Sequence, residues 1–318
     1  MNKQDYFSIK AISSSSLRYY DRSHGGSPSK FKSFIENEFE RKETTSMEKG
    51  TLLHKWNENR DTFIISDVEK PSETISKIIE EMVKEGVDWN DVSSVISIAT
   101  KFDYGKSWKF TTTFDKITNS GAGYYDFLKE ANGKEIMTRA TYDTLIRCQD
   151  SINSHPLAHK LLFEKDELAN IEYYNELEVY WEDLGLSFKS KLDNLEINHD
   201  AKTVILKDLK TTGYSSYSFN KSFESFKYDR QMGFYTDAIR AFFTEKGWNI
   251  DDYTLEIYMI VVETSGQFNT VVYKLKEETI LKGIDEVSSL IKDIKWHYDN
   301  NEWRYTKEEI ENELILII

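Results

Sequence analysis

An α/β fold with a mixed central sheet flanked by helices is what this chain predicts, on three observations. Short apolar stretches with side chains alternating in and out recur at residues 171–181, 186–195, 203–209, 255–263 and 268–275, which is strand periodicity. Stretches with helical spacing surround them, the clearest being residues 277–300 and the segment that contains Gln231 and stops at Gly247. Turn-forming clusters fall between the strands, Asn198-His199-Asp200 in one place and Thr264-Ser265-Gly266-Gln267 in another.

Taken in order, residues 13–20 read as a capped helix, followed by a Gly25-Gly26-Ser27-Pro28 turn and a second helix over residues 29–41. Residues 47–59 continue helical. Residues 68–133, which include Asp88-Trp89-Asn90 and Lys106-Ser107-Trp108-Lys109, form a mainly helical decoration whose aromatics and lysines serve packing or touch nucleic acid. Helix resumes over residues 141–163, the sheet begins at residue 171, and residues 171–275 carry the catalytic sheet with the Gln231 helix. Nothing marks a linker, so residues 1–318 are expected to form a single domain.

The chain has 318 residues, 39% hydrophobic and 14% aromatic, with three prolines, ample for a core and poor in disordered tracts. One cysteine, Cys148, excludes an intramolecular disulfide and a thiolate-held iron–sulfur cluster. The opening Met1-Asn2-Lys3-Gln4-Asp5-Tyr6 lacks the basic and apolar regions of a signal peptide, and no apolar run reaches membrane-spanning length; a cytoplasmic location without membrane contact is expected. The closing Leu314-Ile315-Leu316-Ile317-Ile318 is apolar enough that it should pack against the body or a neighbouring subunit. Net charge is −14, which opposes phosphate binding unless charge is locally redistributed. From Leu186 to Arg240 nine basic residues face seven acidic ones, predicting a site region able to attract phosphate within an acidic exterior.

The chemistry concentrates at residues 187–210. Phe188-Lys189-Ser190-Lys191-Leu192-Asp193-Asn194-Leu195 and Thr203-Val204-Ile205-Leu206-Lys207-Asp208-Leu209-Lys210 read as two strands of a hairpin. Alternation places Val204, Leu206, Asp208 and Lys210 on one face, and ordinary pairing brings Asp193 beside Asp208. Two converging carboxylates suit Mg²⁺, a hard cation that binds through carboxylates and substrate phosphates. A neighbouring lysine can orient or deprotonate the attacking water. The competing reading is a solvated charged face, since Asp-x-Lys recurs in a charge-rich chain. Asp293-Ile294-Lys295 has the same spacing but falls in a helical pattern, where positions two apart diverge.

Upstream stands Glu176-Leu177-Glu178-Val179-Tyr180-Trp181 and downstream Gln231-Met232-Gly233-Phe234-Tyr235. With the hairpin between them, this order resembles the PD-(D/E)xK nuclease superfamily, and within it the phage exonuclease branch that includes lambda exonuclease and the RecE-type nucleases. The resemblance begins at Ile12-Ser13-Ser14-Ser15-Ser16-Leu17 and passes through Gly50-Thr51-Leu52-Leu53-His54, Gly133-Lys134 and His155-Pro156-Leu157. It ends near Glu263. Leu192 stands where a proline often precedes the first aspartate. The resemblance implies a restriction-endonuclease-like core with a helical N-terminal decoration. It makes Asp193 and Asp208 metal carboxylates together with the Leu209 backbone carbonyl and His54, Lys210 the catalytic lysine, and Glu176 an upstream acidic residue near the metal. Gln231, Tyr235, Lys189, Lys191 and Thr211 become DNA-binding or supporting residues.

Each of these has a plainer reading. Glu178 competes with Glu176, because both face one way on a regular strand. His54 is either a ligand or a core histidine, and Gly50, one helical turn earlier, favours the ligand. Tyr235 lies in an apolar stripe with Phe234, Ala238, Ile239, Phe242 and Phe243, which by itself is a buried helix face.

The resemblance implies Mg²⁺-dependent hydrolysis of DNA, with Mn²⁺ as a substitute, as a 5′-to-3′ exonuclease on double-stranded ends in phage recombination or replication. It further implies a single-strand annealing protein as partner and a homo-oligomeric ring. A structure-specific endonuclease of the same superfamily and a non-catalytic DNA-binding or assembly protein on the same fold are the alternatives.

Overall fold

The computed structural model describes residues 6–36, 45–166 and 170–315. Three helices open the chain: α1 (Ser14–Tyr20), α2 (Pro28–Ile35) and α3 (Thr45–Glu58). Strand β1 (Phe63–Ser66), helices α4 (Glu73–Lys84), α5 (Val92–Lys101) and α6 (Phe110–Ala131), and strand β2 (Glu135–Thr138) follow. Then come α7 (Arg139–Ser154), α8 (Pro156–Phe163) and the strands β3 (Ile171–Asp183), β4 (Leu186–Asn198) and β5 (Thr203–Thr212). Helices α9 (Phe219–Ser225) and α10 (Tyr228–Lys246), strands β6 (Thr254–Glu263) and β7 (Thr270–Lys274), and helices α11 (Glu277–Asn300) and α12 (Lys307–Glu311) complete it.

The chain divides into two compact units, one of residues 1–50 and 148–318 and the other of residues 51–147, with the boundaries inside α3 and α7. The first unit is built on a five-stranded mixed sheet in the order β3-β4-β5-β6-β7. β4 runs antiparallel to both β3 and β5, β5 and β6 are parallel, and β7 returns antiparallel along β6. A parallel neighbour needs a crossover, and α9 and α10 fill it. The antiparallel connections are short. Leu184 and Gly185, both with positive φ, turn β3 into β4, and the Asn198 side chain accepts the Asp200 and Ala201 N–H groups in the turn before β5.

One face of this sheet is covered by α10, and α10 in turn by α11. Leu192, Leu195, Ile197, Val204, Leu206 and Ile257 from the strands meet Met232, Phe234, Ala238, Ile239, Phe242 and Phe243 from α10, while Val287, Ile291 and Ile294 of α11 close the layer. Leu17 and Phe31 of the first two helices join it. The second unit has its own core, in which Ile75, Ile78, Ile79 and Met82 of α4 pack with Val95 and Ile98 of α5 and with Ile117, Tyr124 and Tyr125 of α6. Its β1 and β2 pair in parallel, a two-stranded sheet absent from the sequence reading because four residues are too few to establish a period.

Other departures have local causes. The helix expected over residues 141–163 is two helices, since Pro156 lacks the N–H that continuation needs and instead starts α8, with the His155 imidazole accepting the Ala158 N–H at 3.2 Å. The helix expected over residues 29–41 ends at Ile35, and residues 37–44 lie outside the described residues. Leu314 and Ile315 are exposed, not packed against the body, the first of the two placements expected for them, and residues 316–318 lie outside the described residues. Among the described residues no helix is long and apolar enough to cross a membrane.

Helices α10 and α11 approach to backbone contact at two glycines. A Cβ on Gly233 would stand 2.3 Å from the Gly283 carbonyl carbon, and one on Gly283 would stand 2.0 Å from the Asp229 carbonyl oxygen. No side chain is there to yield. Gly283→Ala should therefore push α11 off α10 and lower stability by about 1–3 kcal/mol or more, read as a drop in chemical-denaturation midpoint. An unchanged midpoint would show that the two helices are not held this closely.

Candidate active site

The hydrogen-bonded ladder between β4 and β5 runs from Asn198↔Thr203 to Asn194↔Lys207 and stops there. One step further the register sets Asp193 opposite Asp208. Instead of a ladder bond, the Asp193 carboxylate accepts the Leu209 N–H at 3.2 Å. The β3–β4 ladder has a gap at the same level: Asn175↔Asn194 and Leu177↔Leu192 are paired, and Glu176, which faces Asp193, is not. Glu176 has φ +49°, a left-handed conformation uncommon for a residue with a side chain. Such strain is retained where surrounding structure imposes it, often at functional sites. The β3–β4 register thus breaks and the β4–β5 register ends at one level, where three adjacent strands each carry an acidic residue, while β5 stays paired with β6. Oxygens of Glu176 and Asp193 come within 4.8 Å of each other.

Asp208 is fully buried, and a buried carboxylate is costly without a counter-charge. Lys210, two residues on and on the same face, supplies it with Nζ 2.9 Å from Oδ1 and 2.8 Å from Oδ2. Burial works against the Lys210 ammonium, but the charges of Asp208 and Asp193 outweigh it and hold its pKa well above the ordinary lysine value. The lysine is thus the counter-charge of the two carboxylates. Tyr235 lies close by. Burial, and then the charge of Asp193, push its hydroxyl well above the usual tyrosine range. Gln231 Nε2 donates to the Tyr235 hydroxyl at 2.8 Å, one helical turn away on α10.

The positive φ separates the two glutamates that the sequence left open. Glu178 stays in register opposite Lys191, and its carboxylate takes the Tyr180 hydroxyl at 2.9 Å. Glu176 instead pairs with the Lys191 ammonium at 2.6 Å and lies beside Asp193. Gly50 also belongs to this neighbourhood, since a Cβ there would meet the Thr211 hydroxyl at 3.1 Å. His54 follows one turn later on α3, inside the second unit.

Lys189 is placed otherwise than expected. It is buried, donates to the Tyr6 and Ile9 carbonyls at 2.9 and 2.6 Å, and lies over the Tyr6 ring. Its charge anchors the N-terminal segment and does not face a phosphate. The local positive excess read from the sequence is likewise absorbed by pairing: Lys191 with Glu176, Lys207 with Glu196, Lys227 with Glu286, Arg230 with Asp21 and Glu286, and Arg240 with Asp237. Asp293 and Lys295 sit on α11 as expected, where Lys295 pairs with Asp299 along the helix. Tyr228 was missed. Its ring lies 5.2 Å from Lys210 Nζ, and its spacing of three and seven residues from Gln231 and Tyr235 was a readable helix-face signal.

The donors gathered here are hard oxygens with no thiolate among them, a set that fits Mg²⁺ or Mn²⁺ better than soft metals. No curated protein matches this sequence. A crystal structure from Eubacterium rectale, described as a "Putative exonuclease", superposes with a TM-score of 0.54 at 10% identity over 100% of this chain and 95% of that one; at that identity the likeness is one of fold. A family model described as a PDDEXK-like domain of unknown function (DUF3799) matches residues 13–313. The chain belongs to this PDDEXK-like family, and with it to the PD-(D/E)xK nuclease superfamily.

Proposed function

We propose that this protein is a metal-dependent nuclease that hydrolyses DNA phosphodiester bonds. The supporting observation is that the β3–β4 and β4–β5 registers break at one level, where Glu176, Asp193 and Asp208 stand on adjacent strands with Lys210 beside Asp208.

Asp193, Asp208, Glu176 and the Leu209 carbonyl would hold a Mg²⁺ ion, joined by His54, which shares a helix face with Gly50. Such a cation supplies Lewis-acid stabilisation of charge building on phosphoryl oxygens and acidifies water. Lys210, protonated, donates to the attacking water or to a phosphoryl oxygen and fixes its direction. Gln231 and Tyr235 hold the opposite wall through their mutual hydrogen bond. Lys191 keeps Glu176 oriented until metal and phosphate arrive. Thr211 continues the strand toward substrate, with Gly50 leaving room beside it.

On the resemblance, the proposal extends to 5′-to-3′ digestion of double-stranded ends, to recombination or replication in a phage-type system in the cytoplasm, and to work beside a single-strand annealing protein, with a homo-oligomeric ring around the DNA. Incubating linear and closed circular duplexes with Mg²⁺ tests the first of these. An exonuclease degrades the linear form alone, and cutting of the circle would replace it with an endonuclease.

Asp193→Asn keeps an oxygen that can still accept the Leu209 N–H, so the fold should persist while the site loses a charge. Cleavage should fall by about a hundredfold or more with melting temperature nearly unchanged. Full Mg²⁺-dependent activity in this variant would remove Asp193 from the site.

Mg²⁺ and Mn²⁺ should both support cleavage and chelator should abolish it, whereas Ca²⁺, larger and less strict in geometry, should bind without sustaining turnover. Efficient cleavage with Ca²⁺ alone would contradict the oxygen-ligand reading.

His54→Ala separates ligand from core residue. A ligand role predicts a large loss of cleavage, partly restored by Mn²⁺, at little cost in melting temperature. The reverse pattern, lost stability with normal activity per folded molecule, would assign His54 to packing.

A further inference from the structure

The stretch that leaves β5 is unusual in this acidic chain. From Leu209 to Phe223 it contains no aspartate or glutamate but two lysines, Lys210 and Lys221. It also carries exposed aromatic rings. Tyr214 is 81% exposed and Tyr217 71%, and Phe226, at the end of α9, is 56% exposed. Single exposed apolar residues need no explanation, but these three share one short segment that is firmly held. The buried Glu263 carboxylate accepts the Ser216 N–H at 2.9 Å and the Ser216 hydroxyl at 3.1 Å, and the Tyr273 hydroxyl donates to the Ser216 carbonyl at 2.6 Å. Ser265 donates to the Gly213 carbonyl at 3.1 Å. The tyrosines are thus presented to solvent on a pinned base.

Phe226 connects this segment to the site. Its ring centroid lies 5.8 Å from that of Tyr228, and the Tyr228 ring lies 5.2 Å from Lys210 Nζ. Between the two rings Lys227 takes φ +56°, reversing the chain so that Phe226 turns outward and Tyr228 inward. A continuous aromatic path leads from the Lys210 ammonium to the surface. Phe219, stacked on Tyr228 at 5.5 Å, supports it from within.

We propose that Tyr214, Tyr217 and Phe226 form a stacking platform for unpaired nucleobases of the strand whose phosphodiester enters the site. Every base has a π-face, so aromatic rings bind single-stranded nucleic acid with little sequence preference when positive charge meets the backbone. No aspartate or glutamate falls within residues 209–223, and Lys221 supplies the local positive charge. The inference rests on the nuclease reading for the strand's destination, and it names what that reading lacks, a surface for bases where most basic side chains are already paired. It places frayed or single-stranded DNA ends against this segment.

The test is the affinity of a short fluorescein-labelled oligothymidylate for the full chain, measured by anisotropy in chelator so that nothing is cut. Tyr214→Ala, Tyr217→Ala and Phe226→Ala should each weaken binding by about tenfold, while Tyr214→Phe and Phe226→Tyr, which keep a ring, should bind as the native chain does. With Mg²⁺ the same alanine variants should show a raised KM for the oligomer. Unchanged oligomer affinity in the three alanine variants would overturn the platform, as would an equal loss on a blunt duplex, whose bases are not free to stack. Because binding is read in chelator, a chain that holds the oligomer through these rings yet never cuts it with any metal fails the nuclease reading alone.

Discussion

The buried ion pair between Asp208 and Lys210 is the constraint on which the remaining structure depends. Asp208 follows Val204 and Leu206 on the core-facing side of β5 and is itself wholly buried. An isolated carboxylate in such a place would cost several kcal/mol. Compensation has to come from the same strand two residues later, because only that spacing returns a side chain to the same face. The lysine that results is half-buried, and Asp193 across the strand shares the work of holding its charge. Strand order follows the same need. β5 is the middle strand of five, flanked by β4 and β6, so the pair is shielded on both sides while its open end faces the interruption in the ladder.

Helix α10 links this charge cluster to the core. Met232, Phe234, Ala238 and Ile239 face the sheet, Gln231 and Tyr235 border the carboxylates, and Gly233 meets α11 at backbone distance. Gln231 and Tyr235 share the sheet-facing side of the helix, opposite the side that meets α11. The position of the Tyr235 hydroxyl is therefore set partly by how closely α11 presses from behind, which couples packing far from the site to geometry within it.

Much of this was legible. Strand alternation located the hairpin and put Asp208 and Lys210 on one face, and helical spacing found α10 and the whole of α11. What escaped was pairing, which composition does not encode. A sum of charges from Leu186 to Arg240 cannot know that Lys207 is buried against Glu196 at 2.5 Å or that Lys189 is spent on carbonyls of the N-terminal segment. Tyr228 shares a helix face with Gln231 and Tyr235 but belongs to no motif. The left-handed backbone at Glu176 is something a period-two pattern has no means to express.

That torsion carries a further consequence. A left-handed glutamate costs the fold free energy that glycine or asparagine at the same position would not. On the proposed metal-ligand role, that cost is offset by the use of the carboxylate beside Asp193. On the same reading, glycine or asparagine at this bend in β3 would mark a domain of this fold that works without the proposed chemistry.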